Sequence, residues 1–570
     1  MVPKQPLIIG HRYMVAAGQH LATEAAYSIL ADGGNAVDAG VAAGIALGVV
    51  HSEQVQFSGV APIIIYLAAE RKVVSISGVG PWPRRVRIED FMRDGKGSIP
   101  ENITRCVVPA APAAWILALE RFGTRTFSEV AAPAIRYARD GFAVNRVMAT
   151  FLEDRASSYR RWSQNAAIYF KDGKPLKEGE LLVQSDLART IQFMADQEAT
   201  ASSKGRSAGL KAARDAFYKG DIAQTILAFH RVNGGYLQAD DLAEFECEIE
   251  VPLHMHFNDV NVFSCGPWCQ GPILLQMLSL LKSADLKGLG HNTPAYIHHL
   301  TEVMDLCFAD REAYFGDPKF VDVPLDVLLS DAYAAERLKL INADRSFGEM
   351  PPAGNVGDRS GVLVRHEAAT IEPGLPGDTS YVGVVDADGN AFSCSPSDVS
   401  WESPIIPGLG LCPSSRGSQS WAVPGHASSI EAGKRPRLTP NPSLAIKNGA
   451  FIMPFGAPGG DTQPQGMLQV LLNFIVFGMD IQTAIEAPRF ITRNFPDSFE
   501  PHPYYPGRVD LEQPIGNDVA EALVAKGHKV TWLPEFSLKT SGVHAVVADA
   551  TTGQLYGGAD PRRTGRAMGW

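Results

Sequence analysis

The stretch AVDAGVAAGIALGVV, residues 36–50, is apolar almost all the way round a helical wheel. A helix with no polar face has to be buried on every side, so this chain must build a sizeable core around it. Gly33-Gly34 separate it from a preceding helical pattern that starts at Ala22, and Asn35 stands where an N-cap belongs. At 570 residues the chain is long enough for two to four average domains or for one large layered core. Its texture favours the second. Helical patterns dominate 110–144, 204–241 and 272–310. Short strands crowd the region after 380, in YVGVVD, AFSCS, SLAIKNGAFIMPFG, HKVTWLP and GVHAVVADATTGQLYGG, with one helix, PQGMLQVLLNFIVFG, among them. Between Ile341 and Gly377 the chain is rich in glycine and proline without periodicity, which predicts a flexible linker over about 342–378. Helices early and strands late describe an α+β layered core that needs both halves, 1–378 and 379–570. No internal repeat is visible.

Apolar residues at 45% and charged residues at 20% are the balance of a well-packed globular protein. Lysine and arginine number 51 against 62 acids, a net charge of −11, which disfavours nucleic acid and anionic membranes as partners and leaves small molecules. The N-terminal apolar run is too short for a secretory signal and no stretch reaches the length of a membrane span. A cytoplasmic chain is therefore expected. Seven scattered cysteines suit reduced thiols, and CGPWC, with three residues between Cys265 and Cys269, is a proline turn rather than a redox pair. His254 with His256, and His298 with His299, have no matching acid or cysteine ligands at metal spacing and read as solvated or core histidines. The expectation is no metal and no cofactor.

Function concentrates at residues 376–398, PGDTSYVGVVDADGNAFSCSPSD. Two alternating runs around DADGN make a hairpin. Pairing Asp386 with Ala391 sets Ser380 opposite Ser397 and Thr379 opposite Asp398. Thr379 then opens a strand directly after a linker, a place for a nucleophile, yet no histidine lies between His366 and His426 to serve as its base. A threonine acquires a base of its own if the chain is cut before it, between Asp378 and Thr379, because the freed α-amine titrates near ~8 beside the hydroxyl. An Asp-Thr pair at a strand entrance is, locally, also ordinary turn chemistry. Two other readings stand beside it. Ser279-Leu280-Leu281-Lys282, Ser397-Asp398-Val399 and Lys539-Thr540-Ser541-Gly542 follow the order of a serine acyl-transfer enzyme's elements, although imperfectly. A two-lobed binding protein would need no chemistry at all.

The whole chain is similar to the gamma-glutamyltranspeptidase family of N-terminal-nucleophile hydrolases. ILADGGNAVDAGVAAGIALGVVH, ARDGFAV, ADREAYFGDPKFVDVP, DTSYVGVVDADGNA, GKRPRLTPNPSLAIKNG, GAPGGDTQPQ and YGGADPRRTGRAMG resemble its signatures in order from end to end. The resemblance implies a four-layer αββα sandwich and a precursor that cuts itself before Thr379 into a large and a small subunit, which could pair again into a dimer of heterodimers. It implies an acyl-enzyme on Thr379 formed from a small amide substrate, with Ser397 beside the nucleophile and Gly459 and Gly460 as oxyanion donors. Thr439 and Asp398 fall in its substrate-binding segments. Thr462 and Gln465 are spaced as a capping box after the glycine pair.

The match departs where the family holds a glutamyl group. Its α-amino group meets acids after the hairpin, but PGLGLCPSSRGSQSWAVPGH has none and offers Arg416 instead. Arg84, Arg85 and Arg87 are the candidates for its carboxylate-binding arginine. The glycine-rich run is broken to SGVAP at Ser58–Pro62. A guanidinium at Arg416 would suit a carboxylate, and Trp401, Trp421 and PIIPGLGL a flatter, more apolar acyl group. The expectation is thus an amidohydrolase or acylase for a small carboxylate-bearing amide, with a glutathione-acting transpeptidase as the alternative.

Overall fold

The computed structural model describes residues 3–93, 97–357, 362, 364, 366–375 and 379–570. Two seven-stranded antiparallel sheets face each other at its centre. One runs in the order Ile8–Gly10, Leu555–Gly558, His544–Asp549, Phe451–Gly456, Ser443–Lys447, Val260–Ser264, Leu253–Phe257. The other runs Arg566–Gly569, Met14–Ala17, Val382–Val385, Ala391–Cys394, Ile63–Leu67, Lys72–Ile76, Ile249–Glu250. Each sheet takes strands from both sides of residue 378, so neither half has a complete sheet alone.

Period-two alternation sorts the strand side chains into layers. Met14, Ala16, Ile64, Val385 and Ala391 point to the opposite sheet and meet Leu444, Ile446, Val546 and Leu555 there. Val15, Ala17, Ile63, Val382, Val384 and Phe392 point outward to helices that include Ala36–Val50 and Ala111–Phe122. On the other flank Ala445, Met453, Phe455 and Ala545 pack against Gly271–Leu281, Pro294–Tyr314 and Thr462–Ile475. This is an α+β sandwich in four layers, αββα. The 36–50 helix is buried at every position and is capped by Asn35 and Asp38 in a reciprocal capping box. Its glycines admit neighbours: a Cβ at Gly40 or Gly44 would collide with the rings of Phe392 and Trp115.

Three expectations change. The hairpin register is one residue off the sequence reading, since Val385, not Asp386, pairs with Ala391. The cause is Asp386, whose carboxylate accepts from Asp388 N, Asn390 N and Ala36 N and so serves the turn and the helix start rather than the ladder. Gly389 takes the left-handed conformation that a three-residue loop demands, at φ +81°. Thr379 therefore faces Ser397 directly, and not Asp398. Second, the described parts of the 342–378 linker lack regular structure but are docked. Gly354 N donates to Asp310 Oδ1 at 2.8 Å and Tyr314 Oη to Gly354 O at 2.7 Å. Further on, Ala369 N donates to Tyr504 O at 2.7 Å and Lys539 Nζ to Pro373 O at 2.6 Å. Third, no capping box forms at Thr462: its hydroxyl turns back to Gly459 O, and Gln465 Nε2 donates to Asp461 O and Thr492 O. All seven cysteines are free thiols, and among the described residues no helix is long and apolar enough to cross a membrane.

Candidate active site

Thr379 enters the second sheet at its central hairpin, fully buried, with Oγ1 3.0 Å from Ser397 Oγ. Ser397 is fixed in turn by a bridge to Val60, whose N and O exchange bonds of 3.1 and 3.0 Å with it. SGVAP thus forms the adjoining strand edge. Gly59 is bare because a Cβ there would strike the Ser397 carbonyl. Asp386, cysteine and valine ladders explain how the local sequence makes the hairpin; the close glycine explains how a third segment reaches its mouth.

The second contact to Thr379 Oγ1 among the described residues is Gln463, 3.3 Å away. With its nitrogen toward Asn441 Oδ1, Thr439 O and Ala457 O, the carboxamide oxygen accepts from the threonine hydroxyl. Sequence reasoning missed Gln463, which stands two residues beyond the last residue of GGD. Thr439 belongs to the same cluster, its hydroxyl accepting from Gln419 Nε2 at 2.8 Å. Gly459 and Gly460 lie at φ +121° and +59°, conformations that side chains resist. Their carbonyls accept from Thr462 N and Gln463 N as the helix begins, so the turn's own bonds leave their N–H groups for an incoming oxygen.

What aims this turn is a buried ionic lattice. The N-cap residue Asp461 accepts from Arg311 Nη1 at 2.6 Å, Ser498 N at 2.7 Å and Gln270 Nε2 at 2.5 Å. Arg311 also donates to Glu312 at 2.7 Å, and Glu312 accepts from Arg437 at 2.9 Å. Two of the motifs read from the sequence, ADREAYFGDP and KRPR, therefore interlock: Asp317 pairs with Arg435 at 2.8 Å as Glu312 does with Arg437. Burial raises the Glu312 carboxyl, but Arg437 and Arg311 outweigh it and hold the group down at about 2.

Asp398 and Arg416 sit beside Ser397. Asp398 is held at φ +142°, an outlier for a side-chain-bearing residue. Its carboxylate accepts from Ser414 Oγ at 2.6 Å, Ser415 Oγ at 2.8 Å and Val399 N at 2.9 Å, and meets Arg416 at 3.5 Å. Burial pushes this carboxyl up; Arg416 and the two serines pull it back. Arg416 is fully buried, its guanidinium 5.6 Å from the Phe499 ring, and so is no solvated loop residue.

A cleft of about 290 Å³ opens in front of Gly459 and Gly460, lined by Trp401, Phe499, Tyr505, Arg155, Arg493 and the linker residues Pro373–Leu375 among others. Of the aromatic expectations only Trp401 lines it. Trp421 instead stacks on His502, ring centres 3.7 Å apart, and Ile405, Ile406 and Leu411 of PIIPGLGL are buried in the helical core. Both apolar groups are consumed by packing. Arg84, Arg85 and Arg87 are exposed and line no part of the cleft; Arg84 pairs with Glu244 at 2.5 Å and Arg87 with Asp90 at 3.4 Å. Arg155 lines it in their place. The serine acyl-transfer elements do not assemble: Ser279 is buried in the Gly271–Leu281 helix, Lys282 pairs with Asp331, and Lys539 reaches Pro373 O. Asp378, the other side of the expected cut, lies outside the described residues.

This arrangement coincides with sequence similarity over almost the whole chain: residues 22–570 match the gamma-glutamyltranspeptidase family model. The chain belongs to the gamma-glutamyltranspeptidase family. It is 31% identical to the acylase ACY 1 proenzyme of Pseudomonas sp. strain SE83, with 98% of this chain and 93% of that one covered. It is 30% identical to the glutathione hydrolase proenzyme of Escherichia coli K12, with 96% and 90% covered. A crystal structure of a cephalosporin acylase from Bacillus halodurans superposes with a TM-score of 0.85 at 27% identity, covering 100% of this chain and 98% of that one. As a member of this gamma-glutamyltranspeptidase family the protein is an N-terminal-nucleophile amidohydrolase, related both to glutathione hydrolase and to acylase proenzymes.

Proposed function

We propose that the chain cuts itself before Thr379 and that the freed threonine hydrolyses a small amide through an acyl-enzyme, with γ-glutamyl compounds as poor substrates. The observation that carries this is the placement of Thr379 Oγ1 between Ser397 Oγ and Gln463, at the head of the Gly459-Gly460 turn. Among the described residues no histidine hydrogen-bonds this hydroxyl, so the base has to come from cleavage itself.

In the precursor, Thr379 Oγ adds to the preceding carbonyl carbon, and the collapse breaks the C–N bond, shifting the acyl group from nitrogen to oxygen. Water hydrolyses the ester and leaves a free α-amine. In the mature enzyme that amine takes the Oγ proton as the oxygen attacks the substrate amide. The Gly459 and Gly460 N–H groups face the developing oxyanion, and the proton passes to the departing amine. Water, activated by the same amine, releases the acid. Ser397 and Gln463 hold the hydroxyl on its line of attack.

Substrate choice follows from the cleft. Trp401, Phe499 and Tyr505 favour a flat acyl group, and Arg155 supports recognition of a carboxylate. In the intact chain Arg155 Nη2 donates to Leu375 O at 3.2 Å, so the tail that precedes Thr379 occupies its reach until cleavage. Arg416, paired with Asp398, acts by fixing the wall behind Ser397. The second reading, glutathione hydrolysis, has its own support: Asp497 and Glu500 stand on the cleft wall. Burial raises both carboxyls, Asp497 to about 7, which weakens them as partners for a substrate ammonium. The test is a comparison of kcat/KM for γ-glutamyl-p-nitroanilide with a panel of N-acyl and dicarboxylic monoamides, repeated with Arg155→Met. Faster turnover of the carboxylate-bearing amides, lost through KM in Arg155→Met, is expected. Efficient γ-glutamyl turnover at low KM, unaffected by Arg155→Met, refutes the substrate assignment.

A further inference from the structure

On the far flank of the sandwich, away from Thr379, three buried side chains converge: His298, Glu302 and His528. His298 and Glu302 are one turn apart on the Pro294–Tyr314 helix and so share a face. His528 follows Gly527, whose φ of +99° turns the chain back from the end of the Asn517–Ala525 helix. We infer that these three residues form a binding site for one divalent zinc ion.

The protonation pattern comes first. His298 Nε2 lies 2.8 Å from Asn342 O, and a carbonyl only accepts, so Nε2 carries the proton and Nδ1 presents its lone pair inward. His528 Nε2 lies 2.8 Å from that Nδ1. Glu302 Oε2 accepts from Phe347 N at 2.9 Å, while Oε1 has no hydrogen-bond partner among the described residues, although Glu302 is only 1% exposed. Oε1 is 4.0 Å from His528 Nε2, and all three inward atoms lie within 4.8 Å of one another.

An orphaned carboxylate oxygen is expensive to bury. A zinc ion between it and the two imidazoles satisfies it, takes the His298 Nδ1 lone pair, and binds His528 Nε2 once the proton that Nε2 donates to His298 in the metal-free form has left or moved to Nδ1. Two imidazole nitrogens and a carboxylate are a zinc donor set, with the fourth tetrahedral position left to water. Zinc–nitrogen bonds of about 2.0–2.1 Å put ligand nitrogens about 3.3 Å apart, so His298 and His528 need to separate by only about 0.5 Å. The outer atoms of His298 and Glu302 are already anchored, on Asn342 O and Phe347 N, as ligand orientation requires. Asp305, three residues beyond Glu302, is not free to join as a further ligand, because its own oxygens are taken by Thr492 and Asn494 at 2.6 and 2.7 Å. Asn342, whose carbonyl anchors His298, lies in the exposed segment 342–345, so the triad is close to the surface.

Sequence spacing alone hides this site because His528 stands far from the H-x-x-x-E pair. The same separation gives the ion a use. His298 and Glu302 precede Thr379 and His528 follows it, so in a chain cut there the ion joins the two fragments.

The test is zinc titration of the purified wild-type chain after chelator treatment, followed by calorimetry and by thermal unfolding, with cobalt(II) absorption as the geometric probe. One zinc per chain, a raised Tm with zinc and tetrahedral cobalt bands are expected, all lost in His528→Ala and in Glu302→Gln but kept in His299→Ala. Wild-type protein that takes up no zinc, or a His528→Ala variant that binds it as wild type does, overturns the site; the wild-type arm decides even if a variant fails to fold.

Discussion

Two neighbouring regions of the active cleft are built from opposite materials. Around Thr379 the hydrogen bonds to its hydroxyl among the described residues are neutral: a serine hydroxyl at 3.0 Å and a carboxamide at 3.3 Å. Around Asp461, at the other end of the same glycine turn, they are ionic, with Arg311, Glu312 and Arg437 all fully or almost fully buried. The difference teaches a division of labour. Buried ion pairs impose geometry because breaking one leaves an uncompensated charge, so they suit the backbone that must face an oxyanion. A fixed charge at the nucleophile would instead perturb the amine that has to lose and regain a proton near neutral pH.

The sharpest way to break the comparison is to remove the reacting hydroxyl. Thr379→Ala should give an uncut chain with no measurable turnover, whereas Thr379→Ser should keep both steps at reduced rate; electrophoresis and a substrate assay check each. Next in size is the ionic side. Asp461→Asn removes one of the two carboxylates that Arg311 pairs with and leaves Glu312 as the other, so it should cost less than the about 3–5 kcal/mol of a fully stranded buried charge, read by urea unfolding, together with a fall in kcat as the glycine turn loosens.

Much of this was legible beforehand, and the failures have physical causes. The hydrophobic pattern of 36–50, the alternation of 381–385 and the glycine pair act locally, and each stands where expected. The register differs by one because Asp386 pairs through its backbone with Asn390, closing a tighter loop, while its carboxylate binds the loop and the helix start at Ala36, a contact 350 residues apart in sequence. The pairing of Arg416 with Asp398, turned to φ +142°, was not legible, because nothing in the sequence shows that the two face each other. Gln463 went unnoticed because a glutamine at the start of a helix carries no motif; its role exists only once Thr379 lies above it.

Smaller effects sharpen the neutral side. Ser397→Ala removes the hydrogen bond to the Thr379 hydroxyl, worth about 1 kcal/mol, and should slow cleavage and turnover by about fivefold with little change in Tm. A background test lies away from the Asp461 lattice. Burial pushes Glu53 up to about 8. An acid raised in the folded state stabilises the fold below its unfolded pKa near 4.5 and loses that contribution as pH climbs through about 8. Glu53→Gln should therefore gain Tm over wild type as pH rises from about 5 to 8, and parallel curves would contradict the assignment.

The central claim is that Thr379 becomes an N-terminus and then the nucleophile, and N-terminal sequencing of the small fragment, with intact mass, tests it most directly after the purified chain has matured. The account predicts a fragment beginning Thr379-Ser380-Tyr381 and ending at Trp570, acylated on Thr379 when a slow substrate is trapped. A chain that stays whole while turning over amides, or a fragment that begins at any other residue, contradicts it.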